Sequence, residues 1–264
     1  MARGNDARGF ALLMVLAGLA VLGLLAAAIG MVAETRLRHA HRLAAAARAE
    51  ALADAGAHLA VARLVAAAAD AMVRPEAEPV RLDLDGGHAE AVAVDEGGRL
   101  DVNFADADTW RRLLTASGLS PAEAEALAAR ILDWADADDL ARPSGAEAEA
   151  YQRAGLPPPG NRPFAMVAEL DRVLGMPPGL AARLAPVLTV HTRLRGFDPA
   201  VSRELAALLP EGPFRPSRRR VFAIRSTGRD RDGLEFVRFA TVRLTGDPAH
   251  PVVVLEWRRA PPGG

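Results

Sequence analysis

The sequence predicts an α+β fold in which a long amino-terminal helix packs on an antiparallel sheet and a large all-helical domain is inserted between the strands. Three observations carry this prediction. No charged side chain occurs from Phe10 to Ala33, and no proline follows until Pro75. Apolar and polar residues alternate in two separate blocks, near residues 80–94 and again from Ser217 onward, which is the two-residue period of strands. Between those blocks, from about residue 101 to 210, helix caps and helical spacing recur.

The uncharged run spans about 36 Å as a helix, enough to cross a hydrocarbon core of about 30 Å. Arg8 and Gly9 sit directly against Phe10, and this abrupt junction reads as a processing site. A secretory signal peptide is the competing reading, with Ala26 to Ala28 offering a small-x-small cut. Against it, the apolar run continues through Ile29, Met31 and Val32 with no turn residue. Arginines flank both ends, Arg3 and Arg8 before the run and Arg36, Arg38 and Arg42 after it, so charge counting leaves the orientation open. The very short leader favours a cytoplasmic amino terminus and an exported domain.

Half of the 264 residues are hydrophobic, 25% are charged and the formal net charge is -1. About 230 residues remain beyond the run, room for a long helix and one or two domains with their own cores. Every basic residue other than histidine is arginine. The absence of cysteine excludes disulfides, thiol catalysis and cysteine-bound metal.

From Glu34 to Met72 the chain reads as a continuation of the same helix, with Leu43, Leu52, Leu59, Val61, Leu64 and Val65 among alanines and Gly56 as its weak point. After Pro79, VRLDLDGGHAEAVAVD predicts two strands joined by a turn at Gly86 and Gly87. The second strand has two candidate inward phases, Ala89, Ala91 and Ala93 or Val92 and Val94. Helices follow at Asp108–Ser117 and Ser120–Trp134, the latter with serine at the cap and proline at the first turn. Further helices are predicted at Met166–Leu174, Pro178–Val187 and Pro199–Leu208. RRRVFAIRSTGRD, GLEFVRFATVRLTG and PVVVLEWRR then give three strands, completing one sheet of about five.

This arrangement resembles the minor pseudopilins of type II secretion systems known as general secretion pathway protein K. The matching text is RGFALLMVLAGLAVLGLL, GRLDVNFAD, ILDWADADDLARPSGAEAEAYQ and MVAELDRVLGM, the acidic third stretch being the most specific. The resemblance implies a pilin-like fold divided as leader 1–9, transmembrane half-helix 10–33, periplasmic helix 34–74, first strands 75–100, inserted helical domain 101–212 and last strands 213–264. It implies that prepilin peptidase cuts after Gly9 and that Phe10 becomes the N-methylated first residue. The fifth mature position, glutamate in ordinary pilins, is Met14 here, which suits a tip subunit over repeated use along a shaft. The implied partners are other minor pseudopilins of the I and J type, the major pseudopilin and the inner-membrane secretion platform. The implied location is the bacterial inner membrane, single-pass, with the carboxy-terminal domain in the periplasm.

The acids Asp133, Asp136, Asp138, Asp139, Glu147 and Glu149 offer hard oxygen ligands without EF-hand spacing. The resemblance implies calcium in this domain, and Asp136, Asp138 and Glu147 are the candidate ligands. A solvated acidic surface with capping aspartates is the alternative.

Two other functional classes compete. LLTASGLSPAEAEALAARIL and AELDRVLGMPPGLAARLAPVL resemble helix-hairpin-helix units, which would make the chain a membrane-tethered DNA-binding protein. The turn Gly175–Gly179 holds two prolines that lack N–H donors, and the block is acidic, so nucleic acid is not expected as a partner. The arginines at 218–220 read as the charged flank of an edge strand. For an enzyme, no H-E-x-x-H, G-x-S-x-G or P-loop occurs and the six histidines are scattered, so no activity is expected.

Overall fold

In the computed structural model, which describes residues 6–68 and 78–260, helix α1 runs unbroken over Asp6–Ala67. At about 1.5 Å per residue it is a rod of about 93 Å. It stops five residues short of the expected Met72, and residues 69–77 lie outside the described residues. Residues 14–31 and 34–44 are exposed throughout. Burial begins at Ala45 and follows one face through Ala49, Leu52, Ala53, Ala57, Ala60 and Leu64, the spacing of an amphipathic helix.

That face lies on a five-stranded antiparallel sheet of β1 (Val80–Leu84), β2 (Gly87–Asp95), β5 (Val221–Asp230), β6 (Glu235–Leu244) and β7 (Val252–Arg259). The strands lie in the order β1-β2-β5-β6-β7. The expected count of five strands and their antiparallel pairing agree with the sequence reading. Of the two phases open for β2, the alanine phase faces the helix: Ala89, Ala91 and Ala93 are buried while Val92 and Val94 point outward. Packing distance explains this preference for the smaller side chains.

A Cβ on Gly228 of β5 would stand 2.2 Å from the Ala49 carbonyl oxygen and 2.4 Å from the Ala53 nitrogen. The helix backbone therefore rests on a bare glycine, and only small residues fit around that contact. Gly56 meets Ser226 and Ala89 there. Larger side chains fill the wedge further up, where Ala57, Ala60 and Leu64 pack on Phe222, Ile224, Ala240, Val242 and Leu244. Charges fix the register. Arg238, 8% exposed, donates to Asp54 Oδ1 at 2.6 Å and Glu50 Oε1 at 2.7 Å, and Arg48 donates to Asp230 at 3.2 Å and Asp232 at 3.1 Å.

The inserted domain leaves from the end of β2 and returns at the start of β5, where Asp95 pairs with Phe222. Its elements are β3 (Leu100–Asp101), α2 (Ala107–Ala116), α3 (Pro121–Ala135), α4 (Ala148–Arg153), α5 (Leu180–Leu184), β4 (Leu188–Thr189) and α6 (Arg203–Leu208). They surround a core of their own that includes Trp110, Leu113, Ile131, Tyr151, Leu180 and Phe197. The domain is not wholly helical: β3 and β4 pair in parallel and tie its start to the segment that follows α5. The expected helix at Met166–Leu174 is a 3-10 turn over Val167–Arg172, and that at Pro178–Val187 turns 3-10 at Pro186, which has no N–H to give. The last helix begins four residues late, behind the Ser202 cap. At α3 the expected start is realised as a capping box between Ser120 and Glu123, with Pro121 behind it.

The junction lies at the sheet end far from the apolar run. Arg48 touches the β5–β6 turn, whereas Ala60 and Leu64, more than three helical turns further along α1, meet the end of the sheet from which the insertion springs. Gly228→Ala should destabilise the full chain in detergent by about 3 kcal/mol in denaturant unfolding, since the added methyl meets backbone on both sides. Gly18→Ala, with nothing within 4 Å, should leave the midpoint unchanged.

Candidate metal centre

Helix α3 ends at Ala135 with Asp136 at its cap, and an irregular loop leads to Glu147 at the start of α4. A helix end carries partial negative charge, so carboxylates gathered there need compensation. Asp133, in the last turn and fully buried, obtains it locally. Its oxygens accept from Ala146 N at 2.8 Å, Arg142 N at 3.2 Å and Arg142 Nη1 at 2.6 Å. The loop closes over it so tightly that a Cβ on Gly145 would lie 1.9 Å from Asp133 Oδ2. Arg142 Nη1 also reaches Asp136 Oδ2.

Asp136, Asp138 and Glu147 converge beside this clamp, one oxygen of each lying within 4.8 Å of the others. Asp136 Oδ1 and both Glu147 oxygens are buried with no hydrogen-bond partner among the described residues. Glu147 makes no cap bond to α4. Burial pushes its carboxyl up to about 7, with the charges of Asp133, Asp136, Asp139 and Asp138 adding to the rise. Asp138 is exposed and accepts from Leu140 N at 2.9 Å.

This donor set fits a hard cation. Two oxygens across a calcium ion, at about 2.4 Å each, lie about 4.8 Å apart. Orphaned buried carboxylate oxygens are costly unless a cation or proton joins them. Asp136, Asp138 and Glu147 would hold the ion, which would supply charge neutralisation and cross-link the end of α3 to the start of α4.

The structure thus brings together the three acids named from the sequence. Asp133 serves instead as the loop's anchor, Asp139 accepts from Asn161 at 3.1 Å, and Glu149 is exposed beside Arg153. Sequence reasoning missed Arg142 and Gly145. The signal was a lone arginine within an acidic loop, followed by glycine. At the amino terminus, Met14 is exposed on α1, while the backbone of Gly9 and Phe10 falls within α1 and the Phe10 side chain lies outside the described residues, as do residues 1–5. The helix-hairpin-helix reading finds no support at Gly175–Gly179. Met176 N is bonded to Val173 O and Leu180 N to Pro177 O, so donors that a phosphate would need are engaged.

A long amino-terminal helix on an antiparallel sheet that carries an inserted domain defines a pilin-like fold. Residues 90–193 match the family profile of Type II secretion system (T2SS), protein K. The chain is 34% identical over 106 residues to Type II secretion system protein K of Dickeya chrysanthemi, covering 36% of this chain and 29% of that protein. It is 35% identical over 112 residues to the Klebsiella pneumoniae protein of the same name, covering 39% of this chain and 34% of that one. The fold is similar to a chain in the crystal structure of the GspK-GspI-GspJ complex from the enterotoxigenic Escherichia coli Type 2 Secretion System, with a TM-score of 0.64 and 17% identity over 86% of this chain and 99% of that one. The likeness in sequence to type II secretion system protein K is carried by residues 90–193, and the chain spans about a third of the length of the curated relatives it matches.

A raised carboxyl favours the folded state at acid pH and loses that contribution as pH rises from about 4.5 through about 7. The metal-free protein should therefore melt lower, relative to a Glu147→Gln variant, at pH 8 than at pH 5. Calcium should remove that difference by raising only the wild-type melting temperature. Calorimetry across pH, with and without chelator, reads both effects.

Proposed function

We propose that this chain is a minor pseudopilin that caps the tip of the pseudopilus with other minor pseudopilins of the I and J type and supports export of folded proteins. The observation that carries this reading is the position of the inserted domain. It springs from the sheet end remote from the apolar run, at the β2–β5 junction. A subunit added above would meet this domain, so growth proceeds only below it.

The rest of the reading follows from the anchor. The apolar helix holds the chain in the inner membrane as a single span, with the sheet and inserted domain in the periplasm. Prepilin peptidase removes residues 1–9, Phe10 is then methylated, and the major pseudopilin and inner-membrane platform add below. Met14 lacks the carboxylate that would otherwise meet a neighbouring terminal amine, and a methionine is far cheaper in lipid than an unpaired charge. Calcium at Asp136, Asp138 and Glu147 stiffens the cap. The role is structural and requires no catalysis.

Substitution of Gly9 by leucine should leave the precursor uncut on a gel, while the wild type shortens by its leader and begins with Phe10 by mass spectrometry. Secretion should fall to the level of a deletion strain. A fully secreting strain whose chain retains Met1 would overturn the reading.

A further inference from the structure

Helix α1 leaves the folded domain well above the apolar run. Its buried stripe descends one face through Ala53, Ala49 and Ala45 in steps of four. The next steps on that face, of three and four residues, are Arg42 and Arg38. All residues from Glu34 to Ala44 are exposed, so these arginines occupy the side that the sheet covers higher up. Arg36 adds a third charge on another side. Arg38 pairs with Glu34 one turn away, and no ion pair to Arg36 or Arg42 occurs among the described residues. The acids of the β5–β6 turn directly above are engaged by Arg48.

The position of this cluster relative to lipid follows from helix geometry. Arg36, Arg38 and Arg42 lie about 4.5, 7.5 and 13 Å along the axis beyond Ala33. A headgroup layer occupies about 5 to 7 Å on each side of the hydrocarbon core. Helical side chains lean towards the amino terminus, which here is the membrane side, so long guanidinium arms reach back into that layer. Guanidinium is the group best matched to phosphate oxygens, which it can grip through two parallel N–H donors.

We infer that Arg36, Arg38 and Arg42 form a collar that binds the phosphate headgroups of anionic phospholipid beside the span. This rests on the reading of Phe10–Ala33 as a membrane segment. The collar sets the depth of α1 in the bilayer, and hence the height at which the sheet stands above it. Leu37, between Arg36 and Arg38, and Leu43, next after Arg42, are both exposed and supply apolar surface at the same level.

The test uses the full chain reconstituted in phosphatidylcholine vesicles containing about one quarter phosphatidylglycerol, with spin-labelled versions of each lipid as probes. Carbonate resistance is measured first. The wild type should be retained and should associate with labelled phosphatidylglycerol about fivefold more strongly than with phosphatidylcholine, less so at high salt. R36Q/R38Q/R42Q should remain inserted with the preference close to one, and R36K/R38K/R42K should recover most of it. A chain washed out by carbonate overturns the span and the collar together. A retained chain indifferent to headgroup charge overturns the collar alone. If inorganic phosphate abolishes the preference where sodium chloride of equal ionic strength does not, a soluble phosphate is the group bound and the lipid collar is overturned.

Discussion

The contact between the backbone of α1 and Gly228 is the constraint on which the rest of the structure depends. A helix that approaches a sheet until its carbonyl oxygens meet strand backbone leaves no room for ordinary side chains between them. Alanine therefore lines both sides, Ala49 and Ala53 on the helix and Ala89 and Ala91 on β2. Small residues bury little apolar area each, so this seam gains stability from close dispersion contact over a long line. Larger side chains gather further along the helix, at Phe222 and Leu64, while Phe236 on the strand beside Gly228 closes the seam against Ala49 and Ala53.

Such a seam is smooth and would slide by a helical turn without something directional. The two ion-pair groups provide it. Arg238 is held by Glu50 and Asp54 under aromatic rings of Phe236 and Trp257, and Arg48 reaches two aspartates of the β5–β6 turn. A slip of α1 by one turn would separate both arginines from their carboxylates and leave the nearly buried one uncompensated. Register along α1 in turn determines how far the inserted domain stands from the apolar run.

Much of this was legible in the sequence, and the parts that were not share a physical cause. The strands, the α3 cap and the long helix follow from local period and capping chemistry, which act within a few residues. The inward phase of β2 did not, because valine is the better strand core residue by hydrophobicity and only the distant Gly228 makes alanine the better fit. The 3-10 turn at Val167 likewise answers to packing within the inserted core, whereas that at Ala185 follows locally from Pro186, which has no N–H. At the candidate metal centre the acids could be named from composition and family likeness. The separation of Asp133 from its neighbours required the fold, since its role depends on Arg142 and Gly145 closing from nine and twelve residues away.

That separation explains how one acidic loop carries two kinds of carboxylate. Asp133 is wholly buried yet meets two backbone N–H groups and a guanidinium, so its charge is balanced inside the protein. Glu147 is nearly as buried but finds no hydrogen-bond partner among the described residues, and burial together with the neighbouring carboxylates raises its pKa, so either a proton or a cation would balance it. Arg142 cannot supply both, because Asp133 and Asp136 already share it. A chain without cysteine has no covalent means of tying the end of α3 to the start of α4 across this loop. A divalent ion held by Asp136, Asp138 and Glu147 would do the same work reversibly, through charge that the folded loop concentrates and the unfolded chain does not.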